Sequence, residues 1–236
     1  MIDLNADIGE GCDDASLMPY VHRVSIASGG HAGDAASMAA ALRLAAEFGV
    51  MVGAHPGYPD RAGFGRRSLS ASAEQVYSWV RQQTEVLAEQ SVRCGLQLVH
   101  VKPHGALYND AAGNAELAQA IAEAVAGHDP RLVLIGLADS CLISAGQAAG
   151  LGVLNEAFAD RRYHGNGLLV SRETAGALIT DPLAAAEQAL ALALGLPVST
   201  FGDEPARVRA DTICLHSDTP NALKLAEAVH AALNRR

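Results

Sequence analysis

At 236 residues with a formal charge of −9, the chain suits one sizeable domain over residues 1–236, and its acidity argues against nucleic acid or an anionic membrane as partner. Half of the residues are hydrophobic and only 4% are aromatic, which calls for a core of small aliphatic layers, as in α/β proteins. Four cysteines (Cys12, Cys94, Cys141 and Cys214) lie far apart with no C-x-x-C pair, which argues against a zinc ribbon or a disulfide framework and fits reduced thiols in the cytoplasm.

Met1 runs straight into a strand, Ile2–Ala6, with no basic start or apolar leader, so no secretory signal is expected. Further strands are predicted at Val24–Ser28, Val50–Ala54, Leu96–Lys102, Leu132–Gly136, Gly152–Phe158 and Thr212–His216. The helices between them carry start signals. Asp34 precedes a run with Met38, Leu42 and Ala45 on one face, ended by Gly49, and Ser72 with Gln75 forms a capping box ahead of Val76, Val80 and Leu87. Asn114 opens a segment with Leu117, Ile121 and Val125, while Asp181-Pro182 and Thr219-Pro220 each set a capping side chain before a first-turn proline. The apolar stretch from Ala184 to Leu196 is broken by Glu187 and Gln188 and is too short to span a bilayer. The pairs Arg66-Arg67, Arg161-Arg162 and Arg235-Arg236 are too short to form a basic stripe.

Strands that alternate with helices pair in parallel, because each return crossing is made by a helix. Nearly every predicted strand ends in a polar cluster: Asn5 to Asp7, Ser28 to His31, His55 to Gly57, Lys102 to His104, Ala138 to Ser140, Glu156 to Arg161, and His216 to Asp218. An open sheet gathers ligands at one switch point, whereas a barrel brings all its carboxyl ends to one mouth. The expected fold is therefore a (β/α) barrel of about seven parallel strands.

Period-two alternation sharpens the site. Val99 and Val101 share one strand face and His100 and Lys102 the other, so with the valines against the helices the histidine and lysine point inward. The same count sends Asp3, Asn5 and Asp7 inward from the first strand, and Met51, Gly53 and His55 from the third. An inward lysine is costly unless an anion meets it. A buried ion-pair network is the structural alternative, but so many ionisable groups at one mouth favour an active site. Gly29 to Asp34 reads as a turn and helix cap that also lets backbone N–H groups approach an anion. Arg66 or Arg67 reads as an anchor for a carboxylate or phosphate, and Tyr108 and Tyr163 read first as packing residues. The chain has no G-x-x-x-x-G-K-[ST] loop, no G-x-G-x-x-G turn and no G-x-S-x-G elbow, so standard ATP, dinucleotide and serine-hydrolase cradles are missing.

Six segments in order, DLNADIGE (Asp3–Glu10), GGHAGD (Gly29–Asp34), GAHPGYPDRAGFGRR (Gly53–Arg67), HVKPHGALYN (His100–Asn109), EAFADRRY (Glu156–Tyr163) and LHSDTP (Leu215–Pro220), closely resemble the LamB/YcsF family. The resemblance spans residues 3 to about 220 and implies a glycoside hydrolase/deacetylase-like barrel. It further implies ATP-dependent hydrolysis of 5-oxoproline to glutamate, in a complex with subunits B and C that handle ATP; self-association also stays open. Ala6, where cysteine is common in the family, and Ser28 and Gly30, within a segment usually read ACGFHAGD, depart from the pattern, so a cysteine nucleophile is not expected. The catalytic candidates are Asp7 or Glu156 as general base, Lys102 against negative charge, His55 or His104 as proton donor, and Asp160 to orient a histidine. Asn5, Glu10, His31, Asp34, Arg66, Arg67, Tyr108, Arg161 and His216 are the candidate substrate contacts. Two other readings stand beside this one. Asp7, His31, His55, His104 and His216 supply enough N/O ligands for a divalent metal in an amide hydrolase or deacetylase, and a non-catalytic scaffold for B and C is the second.

Overall fold

The computed structural model describes residues 2–202 and 204–234; Met1 and the Arg235-Arg236 pair lie outside the described residues. Seven parallel strands close into a barrel in sequence order: β1 (Asp3–Ile8), β2 (Arg23–Ala27), β3 (Met51–His55), β4 (Leu98–Val101), β5 (Val133–Leu137), β6 (Gly152–Phe158) and β7 (Thr212–His216). Closure is the β1–β7 pairing, which runs from Asp3 opposite Thr212 to Asp7 opposite His216. Around the barrel lie α1 (Ala35–Phe48), α2 (Ala73–Arg93), α3 (Gly105–Gly113), α4 (Ala115–His128), α5 (Cys141–Ala148), α6 (Pro182–Ala193) and α7 (Ala222–Asn234). Among the described residues no helix is long and apolar enough to cross a membrane.

Local chemistry sets most helix ends. Asp34 accepts from the N–H groups of Ala36 and Ser37, and α1 stops at Gly49 in the left-handed region at φ 67°. Ser72 and Gln75 close the capping box of α2, Asn114 caps α4, and Asp181 accepts from Ala184 N–H with Pro182 in the first turn of α6. Thr219 departs from its expected role. Its hydroxyl donates to Asp160 at 2.7 Å rather than capping, and α7 begins only at Ala222. Two helices, α3 and α5, are not predicted from the sequence. His104, ahead of α3, makes no side-chain cap; Ser140 does cap α5, but that helix has only eight residues to show a pattern.

The outward residues of the strands, among them Leu4, Ile8, Val24, Ile26, Val101, Leu134 and Ile213, are buried with Leu42, Leu87, Ile121, Leu142, Leu192 and Val229 of the helices. Removing this apolar area from water is the main favourable term, at roughly 25 cal/mol per Å². Ala6 belongs to that outward set, so position 6 faces the helices rather than the barrel interior.

The interior of the barrel is polar and tightly filled. Ser25 Oγ lies 3.1 Å from His100 Nε2, and Asn5 donates to Thr212 at 2.9 Å. Arg23 pairs with Asp3 at the amino-terminal end. The His100 ring occupies the place where a side chain on Gly53 would begin, so glycine is the residue that fits there. Burial, then the charges of Arg23 and Lys102, hold His100 well below the ordinary histidine pKa, so it packs as a neutral ring. Gly53→Ala should cost about 1–3 kcal/mol by overpacking. Urea unfolding followed by circular dichroism checks this, with Gly127→Ala, which meets only the Arg81 and Tyr77 side-chain ends, as the milder control.

Candidate active site

The carboxyl ends of the strands open on a cavity of about 390 Å³, with Asp7, His55, Lys102, His104, Glu156 and His216 on its wall. Lys102 stands at the centre and is only 2% exposed. Its ammonium lies 2.8 Å from Asp7 Oδ1 and 2.8 Å from Glu156 Oε1, donates to Asn5 Oδ1 at 3.0 Å, and reaches Cys214 Sγ at 3.3 Å. Burial would lower its pKa, but Asp7, Cys214 and Glu156 together hold it well above the ordinary lysine value. Asp7 shows the mirror effect. Burial works to raise it, and His55 and Lys102 keep it well below the ordinary aspartate range. Cys214 stays a thiol, because burial outweighs the adjacent ammonium.

His55 and His104 form a second group. His55 Nδ1 lies 2.7 Å from the Lys102 carbonyl, and His104 Nε2 lies 2.9 Å from the Phe64 carbonyl. A carbonyl only accepts, so each of these nitrogens carries a hydrogen. The remaining nitrogens, His55 Nε2 and His104 Nδ1, then face each other at 2.9 Å with lone pairs if both rings are neutral. A positive centre must lie between them, either a proton or a metal cation. Glu10 Oε1 stands 3.2 Å from His104 Nδ1 and 2.7 Å from His31 Nε2, and Asp7 Oδ2 stands 3.3 Å from His55 Nε2. His31 stacks on His104 with ring centroids 3.5 Å apart, and burial pushes its pKa down to about 3 despite the bond to Glu10.

Glu10, His31, His55 and His104 bring four ligand atoms within 4.8 Å of one another. Three imidazoles and a carboxylate suit a divalent first-row cation, and ring N–H groups donated to backbone carbonyls are the usual support for metal-bound histidines. The donor set therefore fits a metal.

A third group is the Asp160–His216 dyad. His216 Nδ1 lies 3.0 Å from both carboxylate oxygens of Asp160, which also accepts from His216 N–H and Thr219 Oγ1. Burial would raise Asp160, but His216 and Thr219 bring its pKa down to about 2. The carboxylate fixes the ring with Nδ1 protonated and Nε2 open, and Phe158 stacks against it at 5.4 Å.

Loops close the mouth. Gln83 of α2 bonds both N–H and carbonyl of Gly57 and fills the space beside Gly30, and Gln188 of α6 donates to the carbonyls of Phe158 and Arg161. Of the other sequence candidates, Arg66, Tyr108 and Arg161 line the cavity. Asn5 serves Lys102 from below, and Asp34 caps α1. Arg67 turns away to pair with Asp60, its side chain 66% exposed, so it does not reach the cavity. Tyr163 is a packing residue whose hydroxyl accepts from Phe158 N–H. Cys214 and Arg172 were absent from the sequence candidates. Alternation places Cys214 inward beside Asn5, whereas Arg172 sits in an irregular loop where no period applies.

Ionisable groups gathered at the carboxyl ends of a closed parallel barrel define a barrel of the enzyme type. The chain belongs to the LamB/YcsF family, whose model matches residues 2–236. It is 47% identical over 238 residues to the 5-oxoprolinase A subunit of Chloroflexus aggregans, covering 98% of this chain and 94% of the relative. The corresponding A subunit of Geobacillus thermodenitrificans is 45% identical over 237 residues, covering 98% and 93%. A crystal structure of a lactam utilization protein from Thermus thermophilus superposes with a TM-score of 0.92 at 43% identity, covering 99% of this chain and 96% of that one.

Removing the central charge tests the energetics of the site. Lys102→Met should destabilise the fold by about 3–5 kcal/mol, because two buried carboxylates lose their counter-charge. Adding Asp7→Asn and Glu156→Gln should recover part of that loss in urea unfolding.

Proposed function

We propose that this chain is the hydrolytic subunit of a 5-oxoprolinase, opening the lactam ring of 5-oxoproline to glutamate. The 5-oxoprolinase relatives support the substrate, and the Asp160–His216 dyad on the cavity wall is the observation that carries the chemistry. A lactam is an unactivated amide, so its carbonyl needs a better electrophile and its nitrogen a proton. Activation with ATP is assigned to partner subunits, B and C in the family pattern, since this chain has no phosphate-cradling glycine loop.

In this scheme His216 Nε2 takes the proton of the attacking water, as Asp160 holds the ring in the right tautomer and stabilises the imidazolium that forms. The lone pair on Nε2 makes His216 a better base than Asp7, both of whose oxygens face cations. Lys102 has its donors taken by protein groups. Its part is therefore to pair with Asp7 and Glu156 side by side rather than to bind the oxyanion. Glu156 Oε2 has no partner and is left to orient substrate or water, with Tyr108 next to it. The proton between His55 and His104 is the one placed to reach the departing nitrogen.

His216→Gln and Asp160→Asn should each lower ring opening by about 10²–10⁴-fold. The assay is glutamate release from 5-oxoproline with ATP by this chain together with its neighbouring gene products. Unchanged turnover in both variants would remove the dyad from the mechanism.

The His55–His104 contact also favours a second reading, a metal-dependent amide hydrolase using Glu10, His31, His55 and His104 as ligands. A bound divalent ion would supply Lewis-acid polarisation of the carbonyl or a more acidic water. Elemental analysis of protein purified without added metal decides between them. Roughly one equivalent of a transition metal, lost in His104→Ala, supports the metal, and a protein free of transition metal with full ring-opening activity on magnesium and ATP supports the proton.

A further inference from the structure

The cavity has a second wall that the acid–base groups do not use, and it is built from arginines. Arg161 follows β6 directly and is 5% exposed. Its Nη2 donates to the Val170 carbonyl at 2.7 Å, its Nε has no hydrogen-bond partner, and no carboxylate among the described residues forms an ion pair with it. Asp160 next door is already taken by His216 and Thr219. Arg172 lies in the same loop. Its Nη1 donates to both oxygens of Asp218, at 3.1 and 3.0 Å, and its Nη2 is buried without a partner. Asp218 also receives Arg66, so a single carboxylate serves two guanidinium groups while Arg161 has none.

A buried charge without a counter-charge costs several kcal/mol, and a chain that keeps one has a use for it. Burial and the neighbouring Arg172 lower the Arg161 pKa to about 10, still well above neutrality, so its guanidinium is charged. Both side chains line the cavity that holds His216 and Glu156. A planar guanidinium with a free N–H matches a carboxylate or phosphate oxygen better than any neutral ligand group does.

We propose that Arg161 and Arg172 form an anion subsite that takes the carboxylate of the small-molecule substrate, on the cavity-lining side of their guanidinium groups. This rests on the lactam reading for the ligand and on the arginine geometry for the site. It moves the anchor from Arg66 and Arg67, where the sequence placed it, to two cavity-lining side chains that each keep one unpartnered nitrogen. The carboxylate then fixes one end of the ring while the dyad and Glu156 address the amide.

The test is equilibrium binding by calorimetry to the full chain, with three probes: 5-oxoproline, 2-pyrrolidone (the same lactam without a carboxylate) and inorganic phosphate. Wild type should bind 5-oxoproline more tightly than 2-pyrrolidone, and Arg172→Gln should weaken 5-oxoproline by about 10- to 100-fold while leaving 2-pyrrolidone unchanged. Arg161→Lys, which keeps the charge and loses the Nε donor, should weaken it less. Thermal midpoints and far-ultraviolet circular dichroism confirm folding, and if an Arg161 variant does not fold, the partly exposed Arg172 carries the test. Equal 5-oxoproline affinity in wild type and Arg172→Gln overturns the proposal, as does failure of wild type to bind either anion at millimolar concentration. Phosphate binding that is lost in Arg172→Gln, with no binding of 5-oxoproline to wild type, would keep the anion subsite and remove the lactam reading instead.

Discussion

The ammonium of Lys102 between Asp7 and Glu156 is the contact on which the site depends. A lysine 2% exposed survives only because anions from two other strands meet it, and those strands are far apart in sequence. Asp7 comes from β1, Lys102 follows β4, Glu156 lies in β6 and Cys214 in β7. The closed barrel makes that meeting possible, and the meeting in turn ties opposite sides of the barrel together. Lys102 is thus the counter-charge of both carboxylates, and with His55 it keeps Asp7 ionised in a cavity where burial would otherwise protonate it.

Around that centre the other groups divide by what their hydrogen bonds leave free. His216 has one nitrogen committed to Asp160 and one open, which suits it to accept a proton. His55 and His104 have their outer nitrogens committed to backbone carbonyls, so the inner pair can only be bridged by something positive. Arg161 and Arg172 each keep a donor without an acceptor. Satisfied groups hold the frame, and unsatisfied ones point to what the cavity receives.

Much of this frame could be read along the chain. The alternation in Asp3 to Asp7 and in Val99 to Lys102 predicted which side chains enter the barrel, because successive residues of a strand point to opposite faces whatever the strand pairs with. Caps at Asp34, Ser72, Asn114 and Asp181 were equally legible, since a cap needs only its own first turn. Thr219 looked like one more cap, yet Asp160 takes its hydroxyl from 59 residues away. Arg67, read as an anchor, turns outward to Asp60, and Arg172, to which no role was read, lines the cavity, because an irregular loop has no period to say which arginine turns inward.

Strand-helix order, the inward and outward faces of the first, third and fourth strands, most helix starts and the family were all present in the linear chain. They depend on interactions within a few residues or on motifs that survive as text. Folding had to be complete before other facts existed: that Lys102 is fully occupied, that Asp160 holds His216, that two histidine nitrogens meet at 2.9 Å, and that Arg161 lacks a counter-charge. Each of those facts is a distance between residues brought together by barrel closure, and no local pattern in the chain encodes it.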